Sequence, residues 1–198
     1  MMRLIRIIAL CLAFLPTCLH AEKAGPAMKE LDWDMNFKAG IYTHKNTGVT
    51  FTQFMGGFKG HNAYPLAKDG IALFEFLGER GTVDIYLTHH AAVHLRPQSD
   101  YATAFFRSYR PLLLSNAGKV ESETSSDLVY AAHGKRGKGH RIQLYLVASP
   151  KYAGKSVYDE FGVVQIGEFL LYYRATFQSK EGFDDLGKFL RALGITPI

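Results

Sequence analysis

Two adjacent apolar runs joined by a glycine-bounded segment set the strongest limit on how this chain can fold. In TVDIYLT, residues 82–88, Val83, Ile85 and Leu87 alternate with Asp, Tyr and Thr. This period of two is typical of a strand with one buried face. The preceding run, GIALFEFL at residues 70–77, is separated from it by Gly-Glu-Arg-Gly, which predicts a hairpin loop. The chain is therefore expected to contain antiparallel sheet.

Further strands follow from alternation and from β-branched or aromatic content. We expect them at residues 37–44, 49–54, 127–133, 141–148, 163–166 and 168–177.

Two segments have helical periodicity instead. The first has Ser99 or Asp100 as a suitable N-cap and is expected to stop near Arg110, because a proline follows it. The second spans about residues 180–193, with apolar residues at helical spacing and Gly194 as its stop.

Strands dominate this pattern, so the predicted fold class is α+β. We expect one domain, residues 37–198, in which an antiparallel sheet built from β-hairpins carries a central and a C-terminal helix packed on it.

Residues 1–21 have the layout of a secretory signal peptide. Arg3 and Arg6 precede an apolar run at residues 7–15, and cleavage is expected after Ala21. The apolar run is too short to span a bilayer. The predicted location is therefore exported and periplasmic, with residues 22–36 as a flexible N-terminal arm.

A second processing route stays open. Leu-Pro-Thr-Cys at residues 15–18 resembles a bacterial lipobox, although threonine and proline are unusual in those positions. Lipidation of Cys18 would anchor the protein to a membrane. The only other cysteine, Cys11, also lies in the leader, so a mature chain would have no disulfide and no zinc–thiolate site.

The charge is mildly basic. The formal net charge is +5, and two of those charges are arginines of the leader. An excess of this size does not predict a nucleic-acid partner, and no later segment is long and apolar enough to be transmembrane.

Several short motifs carry a family resemblance. TGVTF at residues 47–51, MGGF at 55–58, VDIYL at 83–87 and YRATF at 173–177 resemble an uncharacterised family of exported bacterial proteins. That family has a G-V-x-F…G-G-F opening and a near-terminal RATY-like segment. Thr52 departs from it, because proline usually follows the phenylalanine of the opening. The order of elements is also similar to the PsbP/Mog1-like sandwiches, and this implies a fold only.

The histidine-rich LTHHAAVH is a candidate metal site formed by His89, His90 and His94. On a helix His90 and His94 would share a face, whereas on a strand they would lie about 13 Å apart at roughly 3.3 Å per residue. The H-E-x-x-H pattern is absent. We favour strand-end and loop residues; a metal site would need a distant ligand such as His133, His140 or Asp84.

A glycine- and base-rich run is a candidate site for an anion or a partner. It is expected to form the tip of a hairpin, and its cations are Lys135, Arg136, Lys138 and Arg141. Backbone N–H groups and cations together could bind a phosphate or a lipid head group. The alternative is a solvated turn in which the lysines provide solubility.

Arg174 lies in YYRATF, residues 172–177, where it could be buried and paired with a carboxylate such as Glu168 or Asp159, or form a stacking platform with its aromatic neighbours. We favour the interpretation that these residues are the two faces of a central strand. No serine has a recognisable histidine and acid set around it, and no cofactor is predicted.

The function predicted from these features is an exported, non-catalytic binding or envelope-associated module. Its expected partner is an envelope protein or an anionic surface. The alternative is a metal-binding protein or metalloenzyme that uses the three histidines.

Overall fold

The computed structural model describes residues 32–65, 70–93, 95, 100–115 and 117–198. The strands in this part of the chain are β1 Trp33–Asn36, β2 Ile41–His44, β3 Thr50–Phe51, β4 Phe54–Met55, β5 Phe58–Tyr64, β6 Ile71–Leu77, β7 Gly81–His89, β8 Lys119–Ala132, β9 Lys135–Ser149, β10 Lys155–Ile166, β11 Phe169–Phe177 and β12 Ile195–Pro197. The α-helices are α1 Tyr101–Ser115 and α2 Gly182–Ala192, and residues 90–93 and 150–152 form single 3-10 turns.

The strands form two antiparallel sheets. The larger has the order β12-β8-β9-β10-β11-β7-β6-β5-β4, and the smaller has the order β1-β2-β3. The predicted hairpin of β6 and β7 is present, with Leu77 opposite Thr82. A mainly antiparallel sheet with two helices, as the sequence predicts, is therefore confirmed.

The large sheet is the central layer, because each of its faces buries a separate apolar cluster. On one face, Val83, Ile85 and Leu87 pack in a cluster that includes Phe189 of α2 and Phe51 of the small sheet. On the other face, α1 packs on β9 and β10 through a cluster that contains Phe105, Ile142 and Phe161. Each buried side chain of this size contributes roughly 1.5–3 kcal/mol relative to an exposed one.

The N-terminal boundary of the folded domain differs from the prediction. Residues 33–36, assigned to the flexible arm, form β1, which pairs with β2. Trp33 is only 3% exposed and packs with Phe51 and Phe74, so burial of the indole fixes this segment. Residues 22–31 and the leader lie outside the described residues. The predicted strand at residues 37–44 begins only at Ile41, after a turn.

The first helix also runs further than predicted. Asp100 is its N-cap, since Asp100 Oδ1 accepts a hydrogen bond from the Thr103 N–H at 2.8 Å. The helix does not stop at Arg110 but includes Pro111 and ends at Ser115. The extension buries Leu113 against the sheet, and this apolar contact offsets the backbone hydrogen bond that proline cannot donate.

Candidate binding cleft

The histidines at the end of β7 are held by hydrogen bonds. His89 Nδ1 accepts the Ala91 N–H at 3.2 Å, and its Nε2 lies 3.6 Å from Glu168 Oε2. His90 Nδ1 lies 3.0 Å from the Glu168 carbonyl oxygen, to which it donates, and its ring stacks on Tyr101. The Nδ1 lone pair of His89 is therefore occupied by the Ala91 N–H. Of the ring nitrogens of His89 and His90, only His90 Nε2 is free to bind a metal.

The structure does not bring the proposed distant ligands to these histidines. Asp84 lies five residues away along β7, His140 is bonded to Asp127, and His133 is in the turn between β8 and β9. In the described ranges no cluster of three potential ligands is close enough to hold an ion. His94 lies outside those ranges, so the metal site stays a prediction.

The basic run does not form the predicted hairpin tip. The turn is limited to residues 133–134, and the rest of the run belongs to β9. Lys135, Arg136 and Lys138 are exposed. Side chains alternate along a strand, so Lys138 lies on the same face of the sheet as His140, which contacts α1. Arg141 lies on the opposite face, towards α2. The four cations of the predicted site are therefore divided between two surfaces.

Close strand packing explains the glycines of this run. A Cβ added at Gly139 would overlap the carbonyl oxygen of Val163, and one at Gly137 would overlap that of Gln165, both on β10. Neither residue has a positive φ, unlike Gly134 in the turn, whose φ is 72°. These glycines thus allow β9 and β10 to approach, and they do not form a phosphate-binding loop.

Arg141 lines a cleft of about 540 Å³ between β9 and α2. Cations from three elements surround it, and the other lining residues include two acids, two apolar side chains, a glutamine and a glycine. The lining residues are Arg141, Gln143, Lys180, Glu181, Phe183, Asp184, Gly187, Lys188, Arg191 and Pro197.

A buried network holds Arg141 in place. Its Nε donates to Ser126 Oγ at 2.7 Å, and its Nη1 lies 3.6 Å from Glu160 Oε1. Glu160 is 1% exposed and accepts hydrogen bonds of 2.6 Å from Tyr173 Oη and from Gln143 Nε2. Burial raises the pKa of Glu160, and these donors and Arg141 act in the opposite direction. The Arg141 guanidinium is therefore held in position at the cleft by Ser126 and Glu160.

Gly187 of α2 lines the cleft. Glycine inside a helix is less stable than alanine by roughly 0.5–1 kcal/mol, so its presence in α2 needs a reason. A Cβ added at Gly187 would meet only Arg191 Nη1, at 3.5 Å, which is ordinary contact. Neither strain nor close packing requires glycine at this position. Its effect is to leave space in which the Arg191 guanidinium lies over the helix.

A second ionic cluster lies on the α1 face. Arg174 binds Asp159 through both Nε and Nη2, which confirms one of its two predicted partners. Tyr152 Oη donates to Asp159 at 3.2 Å, and Thr176 Oγ1 donates to it at 3.1 Å. These contacts make Arg174 part of a buried structural network.

A threonine–histidine–aspartate chain was missed by the sequence analysis. Asp127 Oδ1 lies 2.8 Å from His140 Nδ1, and His140 Nε2 lies 2.6 Å from Thr103 Oγ1. The order resembles a nucleophile set. The Thr103 hydroxyl also donates to Asp100 Oδ2 at 2.7 Å, so it is shared between the histidine and the N-cap carboxylate. These contacts join α1 to β8 and β9.

Comparisons with known proteins add little. No protein-family profile matches the chain, and no curated protein matches it. Several solved structures are similar; among them is cyanobacterial PsbP (CyanoP) from Synechocystis sp. PCC 6803, with a TM-score of 0.40 and 11% identity over 90% of this chain and 98% of that one. The resemblance to an uncharacterised exported family remains a prediction. Neither helix in the described ranges has the length and apolar character needed to cross a membrane.

Proposed function

We propose that the protein is an exported, non-catalytic binding module that holds a small anion in the cleft between β9 and α2. The observation that carries this proposal is the convergence of four cationic side chains, from a strand, a turn and a helix, on one cleft. These side chains are Arg141, Lys180, Lys188 and Arg191.

The electrostatics of the cleft favour an anion. Only two acids line it, Glu181 and Asp184, both near the N-terminal end of α2. The Lys188 side chain is 61% exposed, and its Nζ also forms an ion pair with Asp185 Oδ1 at 3.2 Å. Arg141 is held in place before any ligand arrives, which lowers the entropy lost on binding. Charge-assisted hydrogen bonds to guanidinium groups are the strong contacts that such a site offers.

The exported part of the proposal is supported by the leader pattern of residues 1–21. The prediction of an anionic partner is retained, but its main site moves from the exposed run of Lys135, Arg136 and Lys138 to the cleft. Arg141 lines the cleft, whereas the other three cations of the run are exposed along β9 and are not among its lining residues.

A titration with inorganic phosphate, followed by backbone-amide NMR, tests the proposal. We expect saturable shifts at Gly187 and Arg191 in the purified protein. Gly187→Leu fills the cleft with a good helix former, so binding should weaken at least about tenfold while the fold is kept. Gly187→Ala is the matched control, because its methyl group leaves the cleft open and binding should persist.

A charge test gives a second, independent result. Lys180→Gln with Arg191→Gln should weaken phosphate binding, whereas Arg136→Gln with Lys138→Gln removes the same charge from exposed positions and should not. Equal effects of the two pairs would mean that phosphate responds only to the net charge. The absence of saturable binding to the unmodified protein would refute the proposal.

A further inference from the structure

Half-buried aromatic rings extend the cleft at one end. Phe183 lines the cleft, and its edge meets the Tyr158 ring at 5.8 Å with an interplanar angle of 87°. Tyr158 in turn stacks on Tyr145, with ring centroids 4.7 Å apart and an interplanar angle of 25°. None of the three rings is fully buried. Together they form an aromatic shelf, defined as Phe183, Tyr158 and Tyr145.

Each wall of the cleft has an arginine towards one end and an aromatic ring towards the other. Along β9, Arg141 and Tyr145 lie on one face and are separated by about 13 Å at roughly 3.3 Å per residue. Along α2, Arg191, Gly187 and Phe183 are spaced by four residues and so lie on one side of the helix. Arg141 and Arg191 are therefore at one end of the two walls, and the rings are at the other, where Lys180 also lines the cleft.

We infer that the ligand is an organic anion, a phosphate or carboxylate attached to an aromatic ring, and not a free inorganic ion. This inference rests on the proposed function of the cleft. The anionic group meets Arg141 and Arg191 over Gly187, and the ring lies against Phe183 and the tyrosines. Ring-to-ring contact adds to the burial of apolar surface and favours offset or edge-on geometries.

Phenyl phosphate and methyl phosphate form a matched pair of probes, since both are phosphate monoesters and only one has a ring. We expect phenyl phosphate to bind about tenfold or more tightly than methyl phosphate to the unmodified protein. Phe183→Leu keeps apolar volume but removes the ring. It should abolish most of this preference, so that the affinities of the variant for the two esters become similar.

Tyr145→Leu, at the far end of the shelf, provides a second variant in case Phe183→Leu does not fold, and it should reduce the preference. Equal affinity of the unmodified protein for the two esters would overturn the inference while leaving anion binding intact. A preference that survives both substitutions would also overturn it. If neither ester binds, the proposed function fails together with the inference.

Discussion

Asp84 on β7 lies directly opposite Arg174 on β11, yet the hydrogen-bonding atoms of Arg174 contact Asp159 instead. On its other side Asp84 faces Glu75 of β6, which accepts a hydrogen bond from Asn62. Burial, and next the charge of Glu75, raise the pKa of Asp84 to about 6. The central strands therefore contain a carboxyl group whose ionisation opposes folding.

We predict that Asp84→Asn stabilises the protein at pH 7.5. The folded pKa of Asp84, about 6, exceeds the value of about 3.9 expected in the unfolded chain. The folded state therefore holds the proton more tightly, and the free energy of unfolding falls as pH rises from about 4 to 6. At pH 7.5 the free energy of unfolding of the variant should exceed that of the unmodified protein by on the order of 2–3 kcal/mol. Below pH 4 the two should be equal. Urea unfolding at both pH values measures this difference.

Asp159→Asn is the control for that experiment, because it removes the carboxylate to which Arg174 is bound. It should destabilise the protein at pH 7.5 by roughly 3–5 kcal/mol, since the buried guanidinium loses its partner. Two substitutions of the same kind, on adjacent sides of one arginine, thus have opposite expected signs. Destabilisation of similar size by both would contradict the prediction.

His44 is predicted to have the opposite pH dependence. Burial lowers its pKa to about 4, below the value of about 6.5 in the unfolded chain. Its contribution to stability is complete above pH 6.5 and is lost as pH falls towards 4, by up to about 3 kcal/mol. His44→Asn retains an acceptor for the Thr47 hydroxyl but does not titrate. Urea unfolding should show that the free energy of unfolding falls less between pH 7 and pH 4.5 in this variant than in the unmodified protein. An identical fall in both proteins would disprove the role of His44 in the pH dependence.

The local parts of the fold could be predicted from the sequence, because alternation depends only on near neighbours. The β6–β7 hairpin and the end of α2 at Gly194, whose φ is 81°, are examples. The continuation of α1 through Pro111 could not, because it depends on burial of Leu113 against a distant strand. For the same reason the sequence could name Asp159 and Glu168 as partners of Arg174 but could not choose between them.

The cleft illustrates a further limit on prediction from the sequence. Arg141 was identified within a dense basic run, but alternation along β9 separates it from Lys138. Apart from Gln143, its neighbours in the cleft come from residues 180–197, and only the tertiary fold brings them together. Gly187 was the one available signal, since a glycine inside a strongly amphipathic helix needs an explanation that the helix itself does not give.

We predict that Gly139→Ala is strongly destabilising, because the added methyl group would overlap a backbone oxygen of Val163. Backbone atoms in a paired strand cannot move aside, so a loss of roughly 3 kcal/mol or more is expected. Gly134→Ala is the comparison: its φ is 72° and nothing lies within 4 Å, so only about 1 kcal/mol should be lost. Urea unfolding of both variants measures the difference, and similar losses would mean that strand packing is not the reason for Gly139.

Metal analysis of the purified protein, prepared without chelators, decides the prediction for His89, His90 and His94. We expect no stoichiometric transition metal. His89 Nδ1 already accepts the Ala91 N–H, and His90 Nδ1 is bonded to the Glu168 carbonyl, so His90 Nε2 alone is available on these two rings. One ion per chain that is lost in a His90→Ala, His94→Ala double variant would show that the histidines rearrange to bind it. That result would move the search for function from the cleft to the end of β7, while phosphate binding by the same double variant would report whether the two sites are independent.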